Sequence, residues 1–117
     1  MAEDKEKERL NVIKAELARL ARTKTARNKT WTAQRPTDWR PEQIIDPRTG
    51  LPFTTDGAWD FVAEKLEDDK TIINEITMRK PRGKKGYEFH VDVEKGVIYI
   101  KMQFGSGGKI IGRSFHD

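Results

Sequence analysis

Residues 87–116 read YEFHVDVEKGVIYIKMQFGSGGKIIGRSFH, and the alternation within this stretch decides the fold. Tyr87, Phe89, Val91 and Val93 share one parity, with Glu88, His90 and Asp92 on the other. In the next run Ile98, Ile100, Met102 and Phe104 are set against Tyr99, Lys101 and Gln103. Side chains of a strand alternate between faces, so each apolar set marks the side turned to a core. Glu94-Lys95-Gly96 and Gly105-Ser106-Gly107-Gly108 separate the runs with hairpin-turn chemistry, as Lys84-Lys85-Gly86 does upstream, so neighbouring strands should pair antiparallel. Four strands are predicted, at about Ile72–Met78, Tyr87–Val93, Val97–Phe104 and Lys109–Phe115. The last is ambiguous: its Ile110-Ile111 pair breaks alternation, so either parity could be buried, or a bulge near Gly112 could change it partway.

Upstream of the strands, Trp59, Val62, Ala63 and Leu66 make the apolar face of a helix that begins near Thr55-Asp56-Gly57, with Thr55 or Asp56 as the expected cap. A first helix is predicted from about Asp4 to Thr23, where Leu10, Ile13, Leu17 and Leu20 fall on one stripe. Acids crowd its start and bases its end, as the helix dipole favours. Between the helices, Thr25–Thr54 shows no periodicity, and Pro36, Pro41, Pro47, Gly50 and Pro52 interrupt it. The fold class is therefore α+β, N-terminal helices followed by a four-stranded antiparallel sheet. Residues 1–50 read as an amphipathic helix plus a basic arm carrying Trp31 and Trp39, and residues 51–117 as the helix-and-sheet domain. The arm could stack nucleobases or wrap its own domain or a partner. Residues 1–50 are expected to be dispensable for the fold of the sheet, so a chain starting near Gly50 should stay folded.

The length of 117 residues suits one domain. No apolar run approaches the roughly 18–20 residues of a membrane span, the charged start MAEDKEKERL is unlike a secretory signal, and cysteine is absent. A cytoplasmic location follows as the expectation, with no membrane partner, no disulfide framework and no thiolate metal site. The net charge of +4 is unevenly placed: residues 1–50 carry twelve Lys and Arg against eight Asp and Glu, and residues 51–117 carry eleven of each. Seven bases and one acid lie between Arg19 and Arg40, and Arg79, Lys80, Arg82, Lys84 and Lys85 form a second run without an acid. Such clusters suit a polyanion such as RNA, although a solvated arm and a charged hairpin loop would read the same way.

The outer face of the sheet gathers His90, Tyr99, Lys101 and Gln103, with a choice among Arg113, Ser114 and His116. Cleaving RNA without a metal needs a base for the 2′-hydroxyl, cations for the charge of the transition state and an acid for the leaving 5′-oxygen. Histidine suits the proton transfers near neutrality, and lysine and arginine suit the phosphate. His90, Tyr99, Lys101, Arg113 and His116 are therefore the candidate catalytic residues. Arg79, Lys80, Arg82, Lys84, Lys85 and Gln103 are the candidate RNA contacts. Each also reads as an ordinary exposed strand or loop residue, and only their convergence makes a case. The histidines and scattered carboxylates lack metal-ligand spacing, and no cofactor is implied. The run Gly105–Ile110 fails as a phosphate-binding loop, because it lacks the Gly-Lys-Ser/Thr order and opens no helix.

Gly96-Val97-Ile98-Tyr99-Ile100-Lys101, followed by a glycine loop and Ile111-Gly112-Arg113-Ser114-Phe115-His116, resembles the end of toxins of the motility quorum-sensing regulator (MqsR) type. The broader layout is similar to the barnase–colicin–RelE-like group of small ribonucleases. The resemblance implies sequence-selective mRNA cleavage without metal and neutralisation by a cognate antitoxin. Tyr99 matches the tyrosine such toxins use, Lys101 the lysine two residues on, and His116 stands where they carry a terminal lysine. The first fifty residues and His90 have no counterpart in that pattern. Two other functions fit the same residues: a non-catalytic binder of RNA or single-stranded DNA, and a phage or plasmid inhibitor that caps another protein.

Overall fold

The alternating runs pair into a meander that forms the centre of the molecule, which a computed structural model describes over residues 2–117. Helix α1 spans Ala2–Arg22 and α2 spans Thr55–Glu67. The strands are β1 (Arg27–Asn28), β2 (Asp38–Trp39), β3 (Asn74–Thr77), β4 (Lys85–Val93), β5 (Gly96–Gly105) and β6 (Lys109–His116). The sheet order is β1-β6-β5-β4-β3, and β2 also pairs with β6, further along the same strand.

The α+β class and the N-terminal helix are as expected, and β3 to β6 pair antiparallel. The four-stranded antiparallel sheet needs correction, because the sheet has six strands and is mixed. Both β1 and β2 run parallel to β6, with Arg27 opposite Ile110 and Trp39 opposite Phe115. A strand edge offers unpaired N–H and C=O groups, and the aperiodic arm supplies backbone to them. Strands of two residues are too short to leave a period in the sequence, so only the register reveals them.

Parity places Phe89, Ile98, Ile100 and Met102 in the core. In β6 the register passes from Lys101↔Ser114 to Met102↔Gly112, so Arg113 is an extra residue and the strand bulges. That bulge resolves the Ile110-Ile111 ambiguity: Ile110 and Phe115 are both fully buried in the core, whereas Ile111 lies opposite Gln103. Both helices cover this inner face. Leu17 and Leu20 of α1 join Trp59, Val62, Ala63 and Leu66 of α2 in one cluster with the strands. The cap of α2 is Thr54, not Thr55 or Asp56; its hydroxyl accepts from the Gly57 N–H at 2.9 Å.

The arm is part of this core. Trp39 is 8% exposed. It stacks on Trp59 with ring centroids 4.6 Å apart and meets the edge of Phe115 at 5.2 Å. Gly112 makes room for it, since a Cβ there would lie 2.5 Å from the indole ring. Beyond Trp39, Ile44 and Phe53 are buried in the same cluster, and the turn between them is held by Asp46 and Arg48 at 2.8 Å. The expected separation near residue 50 therefore does not divide the packing. Arginines tie the halves together as well. Arg27 bridges Asp56 at 3.0 Å and Asp60 at 2.9 Å, and Arg22 pairs with Glu67 at 2.7 Å.

Replacing Trp39 with Ala removes a large buried ring and is expected to cost about 3–5 kcal/mol of stability. Trp31→Ala, at a position 61% exposed, should change stability by under ~0.5 kcal/mol. Urea unfolding of both variants, and of a chain starting at Gly50 that should lose cooperative unfolding, checks the assignment.

Candidate functional site

The face of the sheet turned away from the helices carries the polar parity of β4, β5 and β6 in register. His90 lies opposite Tyr99, and Tyr99 opposite His116. The rings follow one another across three strands, with centroids 5.8 Å apart for His90–Tyr99 and 5.3 Å for Tyr99–His116. One row along, Glu88 lies opposite Lys101 and Lys101 opposite Ser114. The Tyr99 hydroxyl donates to Glu88 Oε2 across the two rows.

The arm walls this face on the β6 side. Asp38, leaving β2 beside Ser114, places Oδ2 3.5 Å from Nε2 of His116. Arg113, extra in its strand, swings its side chain to the outer face and is only 5% exposed. Its Nε donates to the Pro36 carbonyl at 2.9 Å, and its Nη1 donates to Gln103 Oε1. No carboxylate pairs with it among the described residues. Burial pushes the Arg113 guanidinium below its ordinary pKa, and the neighbouring charge of Arg35 adds to that. Among the described residues Arg35 also has no carboxylate partner, and its Nε is buried with no hydrogen-bond partner.

Tyr99, Lys101, Arg113 and His116 thus line one open cleft of about 410 Å3, together with Asp38 and Ser114. The bulge at Gly112–Ser114 is what lets Arg113 and His116 serve one face. His90 is exposed on the far side of Tyr99 and lines a separate depression with Asp92. Gln103, expected as an RNA contact, is 3% exposed and occupied with Arg113. It positions the guanidinium.

The two basic clusters differ. In the arm most charges are spent: Arg19 pairs with Glu16, Arg22 with Glu67, Arg27 with Asp56 and Asp60, and Arg40 with Asp38. In the β3–β4 loop Arg79, Lys80, Arg82, Lys84 and Lys85 are all exposed. None of them makes an ion pair among the described residues; Lys85 bonds only the Thr77 hydroxyl, at 2.9 Å. Arg79 and Lys80 line a second cleft that shares Lys101 and Arg113 with the first. Among the described residues no group of three His, Asp or Glu side chains is placed to hold a metal ion.

Asp38 and Arg35 were not legible as site residues. They lie far from β6 in the chain, in a segment without periodicity, and only the parallel pairing of β2 brings them to His116 and Arg113. Glu88 could have been found, since its parity already set it on the face of His90. Compared with protein-family models, curated proteins and solved structures, the chain matches none.

Arg113→Met should release the arm at Pro36, because no other donor among the described residues reaches that carbonyl. The expected loss is about 1–3 kcal/mol from two charge-assisted hydrogen bonds. By hydrogen exchange the Thr32 and Arg35 amides, bonded to each other's carbonyls at 3.1 Å, should lose protection. The Arg40 amide, bonded to Phe115 in the sheet at 2.9 Å, should keep it.

Proposed function

We propose that the outer face of this sheet is the active site of a metal-independent endoribonuclease, acting on cytoplasmic mRNA as a toxin that a cognate antitoxin protein neutralises. The observation that carries the reading is the single cleft lined by Tyr99, Lys101, Arg113 and His116. It holds two groups suited to proton transfer beside two cations suited to a phosphate. The likeness of Gly96–His116 to the end of MqsR-type toxins supports the toxin role.

In this reading the RNA phosphate sits against Lys101 and Arg113, whose charges offset the negative charge that builds on the phosphorane-like transition state. His116, oriented by Asp38, removes the proton of the 2′-hydroxyl as its oxygen attacks phosphorus. Tyr99 donates its proton to the departing 5′-oxygen, and the P–O5′ bond breaks. The products are a 2′,3′-cyclic phosphate and a 5′-hydroxyl end. Solvent returns the proton from His116 to the tyrosinate, which restores both groups. Glu88, bonded to the Tyr99 hydroxyl, orients the phenol. His90 stands outside the cleft and takes no step.

A non-catalytic RNA binder is favoured by one observation: the Tyr99 hydroxyl and the Arg113 guanidinium are already engaged within the protein. Labelled RNA incubated with the protein in EDTA separates the readings. The nuclease leaves cyclic-phosphate and 5′-hydroxyl ends, whereas the binder shifts the RNA intact. Strict magnesium dependence with 5′-phosphate products would sink the mechanism.

His116→Ala and Lys101→Ala are expected to lower the cleavage rate by roughly 100- to 10,000-fold and to abolish growth arrest on induction. Thermal stability should stay near that of the parent, since His116 is partly exposed at the end of its strand. His90→Ala should have the weaker effect. If His90→Ala abolishes arrest and His116→Ala does not, the site is centred on β4.

The free loop cations should contribute to affinity through the RNA backbone. Each phosphate neutralised adds about 0.7 to the salt slope of single-strand binding, so Lys84→Ala with Lys85→Ala should flatten it by roughly one to two units. An unchanged slope would leave these lysines as solvated charge.

A further inference from the structure

The second cleft, about 530 Å3 in volume, adjoins the first along Lys101 and Arg113 but differs from it in chemistry. Its base is apolar. On the outer parity of β4, residue 86 is glycine, and Met78 fills the space left by the missing side chain: a Cβ on Gly86 would fall 2.5 Å from the Met78 sulfur. Ile76 of β3, directly opposite Gly86 in the register, is the next surface, and Pro36 of the arm closes the opposite wall. Around this floor stand Arg79 and Lys80 on one side and Lys101 and Arg113 on the other. Among the described residues no carboxylate lines the cleft.

An apolar floor lined as well by four cations fits one kind of occupant, a planar heterocycle attached to phosphates. A free inorganic anion would leave Ile76, Met78 and Pro36 uncovered. An acyl chain would leave four cations without a counter-charge. A nucleotide satisfies both, with its base on the floor and phosphates on the rim, since aromatic bases gain from such surfaces irrespective of sequence.

We infer that this second cleft is a nucleobase subsite, which seats the nucleotide next to the scissile phosphate on Ile76, Met78 and Pro36 while Arg79 and Lys80 hold the following phosphate. The inference rests on the ribonuclease reading for the word scissile, but the subsite itself requires only that the protein bind a nucleotide. Lys101 and Arg113 belong to both clefts and set the spacing between the base and the reacting phosphorus.

The test uses the unmodified chain, with 13C-labelled methyl groups followed by NMR. The probes are the four nucleoside 3′-monophosphates, ribose 5-phosphate and inorganic phosphate, added separately. The expected result is saturable movement of the Ile76 δ1 and Met78 ε methyl signals with at least one nucleotide, at a Kd at least about tenfold below that for ribose 5-phosphate. Equal affinity for ribose 5-phosphate would overturn the subsite, because the base would then add nothing. So would nucleotide binding that leaves these two methyls unmoved, and so would the absence of any response. RNA cleavage without methyl movement sinks the subsite and leaves the active-site reading standing. Methyl movement without cleavage does the reverse.

Discussion

Trp39 lies against Trp59 only because residue 112 has no Cβ, and much of the outer face depends on that contact. The stack buries the indole in the core and holds β2 in register beside β6. Register then decides what reaches the other side of the sheet. Asp38, one residue earlier and on the opposite parity, is delivered to His116. The Pro36 carbonyl is delivered to Arg113. A core contact on one face thereby builds a wall of the cleft on the other, with the sheet as the rigid plate between them. A Cβ at position 112 would push on the indole first and on the cleft second.

The bulge at Arg113 contributes separately. Without an extra residue, Arg113 and His116, three positions apart, would face opposite sides of the strand. Doubling one position keeps Phe115 in the core and still turns the guanidinium outward. The arrangement leaves a nearly buried cation satisfied by two neutral acceptors and close to a second arginine. A buried charge without a counter-ion is unfavourable unless something compensates it. On the proposed reading, a phosphate arriving in the cleft would supply that counter-charge.

What the sequence revealed depended on period. The meander from Tyr87 to His116 was legible because alternation over eight to ten residues leaves a clear trace, and the parity of Tyr99 and Lys101 followed from it. The bulge could be anticipated from the Ile110-Ile111 break, and the buried face of α2 from Trp59, Val62, Ala63 and Leu66. The arm was not legible, because two-residue strands have no period and prolines read as interruption. Trp39 and Trp31, alike in local sequence, turn out to be a core residue and an exposed one, a difference set by what lies across β6. The basic clusters were equally visible on composition, yet Arg22 and Arg27 are spent on Glu67, Asp56 and Asp60 while the loop cations make no ion pair among the described residues. Pairing across tens of residues separates the two cases, and composition carries no record of it.

The parallel attachment of β1 and β2 to β6 also has a consequence in time. During synthesis the arm leaves the ribosome long before its partner strand exists, because β6 follows every other element in chain order. Pairings between such distant segments form late and slowly, since the intervening chain must first be ordered. The cleft needs Pro36 and Asp38 from the arm and Arg113 and His116 from β6, so it cannot assemble before β6 has been made. The outer-face cleft is therefore among the last parts of the molecule to take shape, since it exists only once β6 has been made and has closed the sheet.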